Sequence, residues 1–187
     1  NTGGTGNFTE GFIYTLKAGK PTLLARIPGG DRAMGGLREA TVENGLLVVD
    51  QNDPDRNQAS CCSEYALLSK YRLNGKKLVE VGKPVSRELH PSQRVTFAKG
   101  ATKTTIKVDV DYIKRFKIGA RAGQTLIVSF TSPNAENVSL SLVEGEADVT
   151  DGEQKMTAKL NQNGDYIIQV QNTYKLSSEV TLTFEIK

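Results

Sequence analysis

Hydrophobic and polar residues alternate in short runs along most of this chain, and turn-forming residues separate the runs. Alternation with a period of two is typical of strands that have one buried and one solvated face. The strongest example is residues 37–43, followed by Asn44-Gly45 and residues 46–50. Asn-Gly favours the positive φ angles of a type I′ turn. This pattern therefore predicts a β-hairpin.

Two further hairpins are predicted in the first half. Residues 12–16 and 22–27 flank a break that ends at Pro21, and residues 65–73 and 77–81 flank Asn74-Gly75. In the second half the same pattern predicts a series of short strands. They are residues 94–97, 104–110, 111–120, 125–131, 138–143, 156–160, 165–171 and 180–186.

Helical periodicity is nearly absent, and regularly spaced short strands indicate a sandwich or barrel. The sequence therefore predicts an all-β protein of two small domains. We expect an antiparallel hairpin sheet at residues 1–85 and a jelly-roll-like β-sandwich at residues 94–187. Residues 83–93 have no period and contain two prolines, Pro84 and Pro91, which suits a linker at residues 86–93. Because the chain enters a strand pattern without a capping segment, we expect the first sheet to lack an opening strand.

Composition narrows the function classes. The chain has 187 residues, 37% of them hydrophobic, and a net charge of +3. Basic residues rarely run beyond two together, which argues against nucleic-acid binding. Apolar runs stay short of the ~20 residues that a transmembrane helix needs. We expect neither a nucleic-acid partner nor a transmembrane segment.

The residues that acid–base catalysis uses are scarce. His90 is the only histidine and lies beside Pro91, and the chain has no tryptophan. Gly-x-Ser-x-Gly and His-Glu-x-x-His motifs are absent from the sequence. We therefore predict no catalytic residues and no enzyme activity.

Cys61 and Cys62 are adjacent and are the only cysteines. They cannot form a metal site alone, because thiolate sites need further Cys or His ligands. Outside the cytoplasm, adjacent thiols oxidise, and the nearest partner is the neighbour. We expect a structural disulfide between Cys61 and Cys62; two reduced thiols and a redox or intermolecular role are the alternatives.

A polar loop precedes the cysteines. Counted from Asp53, oxygen-bearing side chains fall at positions 1, 3, 5 and 12, namely Asp53, Asp55, Asn57 and Glu64. This is the ligand spacing of an EF-hand loop. Position 6 is Gln58 instead of glycine, and strand patterns flank the loop. Calcium is the one cofactor that the sequence suggests, and a solvated acidic loop is the alternative.

The second half resembles the periplasmic inhibitors of g-type lysozyme and the β-sandwich domains of secreted bacterial peptidases. The resemblance rests on residues 95–100, the aromatic strand around Tyr112 and Phe116, residues 120–126, and Asn163-Gly164-Asp165-Tyr166 leading into the next strand. It implies a β-sandwich. The inhibitors share an arginine-containing loop after the Gly-Asp-Tyr strand, whereas residues 171–176 here contain no arginine.

The first half resembles a domain of unknown function in secreted bacterial proteins, notably cyanobacterial ones. The shared features are the glycine-rich opening, Gly30-Asp31-Arg32, Asn52-Asp53-Pro54, the cysteine pair and residues 71–75. The resemblance implies secretion and assigns no activity.

Together these observations indicate a non-catalytic module in the periplasm, outside the cell or on its surface, with a protein or envelope component as its partner. Sandwich proteins place binding residues on loops, so the candidate binding residues are Pro133, Asn134, Tyr174 and Lys175. One alternative is an inhibitor of g-type lysozyme that acts through the second domain. Another is an extracellular structural subunit that self-associates through an open sheet edge.

Overall fold

The computed structural model describes residues 10–27, 29, 36–56, 63–75, 77–174 and 176–187. These residues form sixteen strands and two 3₁₀ helices, Pro54–Arg56 and Ala135–Asn137. The all-β prediction is confirmed. None of the helices in this part of the chain has the length and hydropathy of a membrane span. The chain divides into two compact units, Asn1–Leu89 and His90–Lys187.

The strands are numbered in chain order. In the first unit they are β1 (Gly11–Lys17), β2 (Lys20–Ile27), β3 (Leu37–Glu43), β4 (Leu46–Asn52), β5 (Tyr65–Asn74), β6 (Lys77–Glu80) and β7 (Val85–Glu88). In the second unit they are β8 (Ser92–Arg94), β9 (Lys103–Val110), β10 (Ile113–Ala120), β11 (Thr125–Thr131), β12 (Val138–Glu144), β13 (Ala147–Gly152), β14 (Lys155–Leu160), β15 (Gly164–Asn172) and β16 (Ser178–Ile186).

The three predicted hairpins are present in the first unit. β1 pairs with β2, β3 with β4 and β5 with β6, each in antiparallel register. Asn44 and Gly45 have φ angles of 49° and 75°, as a type I′ turn requires. Ala18 and Gly19 adopt nearly the same angles, 49° and 76°. Ala18 is strained there, because a Cβ disfavours left-handed backbone.

The described residues of the first unit form two sheets. One pairs β1 with β2, and the other follows the order β3-β4-β5-β6. β7 pairs with the Tyr65 end of β5, and β6 pairs with the Asn74 end. The segment predicted as a linker therefore carries β7 and β8. All four residues of β7 are exposed, so this strand lacks the alternation of buried and exposed side chains that predicts a strand. It is defined by its backbone pairing with β5.

The second unit is a sandwich of two sheets. One follows the order β12-β15-β10-β8 and the other the order β13-β14-β11-β16-β9. All pairs are antiparallel except β8 with β10. The sequence analysis missed β13, whose residues are mostly polar and exposed. As an edge strand it is defined by its pairing with β14.

A continuous core fills the sandwich. The alternating residues of β10, β11, β14, β15 and β16 point into it. The rings of Phe116 and Phe184, from opposite sheets, lie 5.6 Å apart. The core comprises Val95, Val110, Phe116, Ile118, Leu126, Val128, Phe130, Val138, Met156, Ala158, Leu160, Tyr166, Ile168, Val170, Val180, Leu182 and Phe184.

The described residues of the first unit bury fewer hydrophobic side chains. Among its described residues, the buried hydrophobic side chains are Ile27, Val48, Val49 and Ala66. A larger set of big hydrophobic side chains is exposed on the same unit. They are Phe12, Tyr14, Leu16, Leu23, Val42, Leu73, Val79 and Val85.

Candidate binding surface

Two loops meet at one end of the sandwich. Residues 132–137 follow β11, and residues 173–177 follow β15. The backbone N–H of Thr173 donates to the carbonyl of Asn137 at 2.9 Å, and the amide of Asn134 lies 3.2 Å from the hydroxyl of Ser178. The structure thus places the predicted residues Pro133, Asn134 and Tyr174 on neighbouring loops. Lys175, the fourth, lies outside the described residues.

Asn172 organises this end of the unit. Its side chain is buried, with 1% of the residue exposed. The amide nitrogen donates to the carbonyls of Val110 at 2.8 Å and Leu176 at 2.9 Å. The amide oxygen accepts the backbone N–H of Tyr174 at 2.9 Å. Its backbone N–H donates to the carbonyl of Tyr112 at 2.8 Å. Asn172 therefore joins the turn between β9 and β10 to the loop that follows β15.

Large side chains project into solvent from the backbone that Asn172 holds. Tyr112 is 54% exposed, Tyr174 43% and Leu176 65%. We call these three residues the tyrosine end of the sandwich. The ring of His90 lies 6.3 Å from that of Tyr112. Exposed aromatic side chains on a fixed backbone are common in protein–protein interfaces.

The sequence analysis did not assign Asn172, Tyr112 or Leu176 to the surface. The sequence did contain a pattern that could have identified Asn172. Every second residue of β15 is buried, and Asn172 follows Tyr166, Ile168 and Val170 in that alternation. A polar residue at a buried strand position needs hydrogen-bond partners. Tyr112 and Leu176 carried no such signal, because their exposure follows from the loops around them.

The loop proposed for calcium has a different organisation around Asp53. Asp53 is buried, and its Oδ1 accepts the backbone N–H of Asp55 at 3.0 Å. Its Oδ2 accepts the hydroxyl of Ser86 at 2.5 Å, and Nε of Arg56 lies 3.9 Å from the same oxygen. Oδ2 thus holds the loop against β7, and Oδ1 fixes the turn within the loop.

Asp55 and Glu64 are also described, whereas Asn57 is outside the described residues. Within the part that the structure describes, no three His, Cys, Asp or Glu residues are grouped to hold a metal ion. The calcium site stays a prediction. So does the Cys61–Cys62 disulfide, because both cysteines lie outside the described residues.

The opposite end of the sandwich carries a wide cleft of about 540 Å³. Nη1 of Arg94 lies 2.6 Å from Oδ1 of Asp165, and the guanidinium passes over Gly119, where a Cβ would come within 3.0 Å of it. Glycine at 119 therefore leaves room for this ion pair. The cleft is lined by Phe97, Ala101, Thr102, Gly119, Ala120, Arg121, Gln124, Gly164, Asp165 and Ile186.

A smaller groove of about 220 Å³ lies on the sheet of the first unit. Asp50 contributes to it, and its Oδ2 lies 2.6 Å from Nη2 of Arg87. The other carboxylate oxygen of Asp50 is buried without a hydrogen-bond partner. The ion pair with Arg87 offsets part of the cost of burying this carboxylate.

Comparison with solved structures finds similar folds. PliG of Aeromonas hydrophila, a periplasmic inhibitor of g-type lysozyme, is 23% identical and superposes with a TM-score of 0.44, covering 51% of this chain and 96% of its own. PliG of Salmonella Typhimurium is 22% identical and superposes with a TM-score of 0.42, covering 51% of this chain and 97% of its own. The pre-peptidase C-terminal domain of Bacillus anthracis collagenase is 14% identical and superposes with a TM-score of 0.39, covering 54% of this chain and 99% of its own.

These are the two classes of protein that the sequence motifs of the second half resemble. No protein-family model matches this sequence, and no curated protein matches it. The structural likeness concerns the fold alone.

Proposed function

We propose that this chain is a non-catalytic, extracytoplasmic binding module that holds a protein partner at the tyrosine end of its sandwich. The observation that supports the proposal is the buried Asn172, which bonds the backbones of Val110, Tyr112, Tyr174 and Leu176. An isolated sandwich does not need two exposed tyrosines and an exposed leucine beside such a network.

Pre-organisation is the physical reason that this surface suits binding. Association loses conformational freedom in every loop that must become ordered. Here the backbone that carries Tyr112, Tyr174 and Leu176 is already fixed by hydrogen bonds of 2.8–2.9 Å. Aromatic side chains also present a large contact area with few rotatable bonds.

A non-catalytic role agrees with the residues available. The chain has a single imidazole, His90, whose ring is tilted against that of Tyr112. General acid–base catalysis would therefore depend mainly on carboxylates. Location outside the cytoplasm is proposed from the motifs of both halves and from the adjacent cysteines.

A narrower candidate is inhibition of g-type lysozyme by the second unit. The motif resemblance of residues 94–187 favours it. The absence of arginine from residues 171–176 requires that Tyr174, Leu176 and their neighbours make the contacts by other chemistry. Clearing of a cell-wall suspension by g-type lysozyme, followed with and without stoichiometric protein, tests this candidate directly.

The wider proposal is tested with two purified probes, g-type lysozyme and peptidoglycan sacculi. Binding of the native chain is compared with that of a double variant, Tyr174→Ala with Leu176→Ser. Val149→Ser is the matched control, because Val149 is 40% exposed on β13, outside the two loops. Loss of two exposed anchors should weaken binding to the protein probe at least about tenfold, and the control should bind as the native chain does.

Two outcomes would contradict the proposal. One is that neither the lysozyme nor the sacculi bind the native chain. The other is that the double variant binds as tightly as the control. Binding to sacculi alone would replace a protein partner by a cell-wall polymer and thereby overturn the partner that we propose.

A further inference from the structure

The β1–β2 hairpin of the first unit combines an apolar face with a free edge. Phe12, Tyr14 and Leu16 alternate on β1 and are 52%, 56% and 74% exposed. Leu23, opposite Tyr14 on β2, is 53% exposed on the same face. Among the described residues, β2 is the only strand that pairs with β1. Within the described part of the chain, the outer edge of β1 thus has no strand partner, and it runs beside a row of large apolar side chains.

The two edges of this hairpin differ. β2 contains Pro21, which lacks an N–H, and a register shift that leaves Leu24 bulged opposite Ile13 and Tyr14. Both features oppose the addition of another strand. The central residues of β1, from Phe12 to Leu16, contain no charge and no proline. Apart from Lys17 at its end, β1 thus lacks the charged residues, prolines and bulges that block pairing.

Other edge strands are protected in ways that β1 is not. β9, at the edge of the larger sandwich sheet, carries Lys103, Lys107 and Asp109. β3 carries charged residues at positions 38, 39 and 43. β12 has a bulge between Leu142 and Glu144. Charged residues and bulges are the usual protections of exposed edges.

We propose that the partner of the β1 edge is β1 of a second copy of this chain, paired antiparallel about a two-fold axis at Tyr14. The pairing is self-complementary, as a two-fold interface requires. It places Phe12 of each copy opposite Leu16 of the other, and Tyr14 opposite its equivalent. Because these residues are two apart, all of them stay on one face of the joined sheet.

The ends of β1 favour the same antiparallel arrangement. Glu10 precedes the strand, where it is ion-paired with Arg26 of β2, and Lys17 ends the strand. Antiparallel pairing places Lys17 of each copy opposite the uncharged Gly11 of the other. A parallel arrangement would place the two Lys17 side chains side by side, which is unfavourable.

Pairing also relieves a weakness of the hairpin. A two-stranded sheet is marginally stable in water, and three or more strands are needed for independent stability. The paired copies form a four-stranded sheet in the order β2-β1-β1-β2. This association involves the first unit alone and does not depend on the binding function proposed for the sandwich.

Substitution at the axis tests the proposal. Tyr14→Lys places two lysines opposite each other in the dimer, while in the single chain the side chain is already more than half exposed. Tyr14→Glu does the same with negative charges. Val42→Lys, at a 76% exposed position on β3, is the matched control. Sedimentation velocity of the full chain is measured up to about 1 mM, because weak association is detected only near its dissociation constant.

The native chain and Val42→Lys should dimerise, and each Tyr14 variant should associate at least about tenfold more weakly. An equimolar mixture of Tyr14→Lys and Tyr14→Glu should recover the dimer, because lysine then lies opposite glutamate. This recovery also shows that both variants are folded. A native chain that stays monomeric would overturn the proposal. So would a Tyr14→Lys variant that dimerises normally, or a mixture that remains monomeric.

Discussion

Both units are built mainly from antiparallel strands, but their described residues bury apolar surface very differently. The second unit packs seventeen side chains into one continuous core. The described residues of the first unit bury four hydrophobic side chains and expose eight large ones. Burial of apolar area is the main favourable term in folding. The comparison indicates that strand alternation alone creates sheets, whereas the core of the second unit comes from the inward side chains of two sheets packed together.

The difference extends to function. In the second unit the exposed apolar residues that we consider functional lie on loops held by a buried polar residue, Asn172. In the first unit they lie on the strands themselves, at Phe12, Tyr14 and Leu16. As we propose, the sandwich offers a rigid surface for a protein partner, and the hairpin offers an edge that a second copy of β1 would complete.

The largest effect should come from Phe116→Ala in the sandwich core. Phe116 is 1% exposed and contacts Phe184 across the sheets. Loss of such a side chain costs about 3–5 kcal/mol, because a cavity remains. Chemical unfolding of the full chain measures the change in the free energy of unfolding. Val42→Ala, on exposed β3 of the first unit, should cost about 0.5 kcal/mol or less. Equal losses of unfolding free energy in the two variants would contradict the difference in burial between the two units.

Asn172→Leu should have the next largest effect and lower the free energy of unfolding by about 2–3 kcal/mol. The substitution leaves the carbonyls of Val110 and Leu176 and the N–H of Tyr174 without their partner, and unpaired buried groups are costly. Hydrogen exchange at residues 173–177 should accelerate as the loop loosens. Thr173→Val, which removes an exposed hydroxyl that bonds the Asn137 carbonyl, is the control. Unchanged exchange in Asn172→Leu would refute the role given to this residue.

The smallest effect should be a gain in the first unit. Ala18 occupies left-handed backbone, with φ at 49°, where glycine is free of Cβ strain. Ala18→Gly should stabilise the β1–β2 hairpin by about 0.5–1 kcal/mol, seen as slower hydrogen exchange in β1 and β2. Gly19→Ala, at φ 76°, should act in the opposite direction. A loss of protection in Ala18→Gly would contradict the turn geometry.

The sequence predicted those features that depend on local chemistry. Asn44-Gly45 and Asn74-Gly75 located two hairpins, and the alternation in β11 and β15 located core strands. It missed β7, β8 and β13, because short edge strands with exposed side chains are defined by their pairing partners. The boundary between sheets and the contrast in burial depend on which strands face each other, and no local pattern encodes that.

The candidate surface was predicted in part for a similar reason. Pro133, Asn134 and Tyr174 stood out as loop residues, and the structure brings their loops together through Asn137 and Ser178. Tyr112 and Leu176 join them only because Asn172 bonds to both backbones. The hydrogen bonds to Asp53 were likewise hidden, because Ser86 is distant from it in sequence.

Native-state hydrogen exchange of the full chain tests most directly the claim that the second unit is stabilised by its own core and the first is not. Amides of β11 and β16 in the larger sandwich sheet should exchange at least about a hundredfold more slowly than those of β4 and β5 in the first unit, after correction for intrinsic rates. Equal protection in the two units, or stronger protection in β4 and β5, would contradict the account.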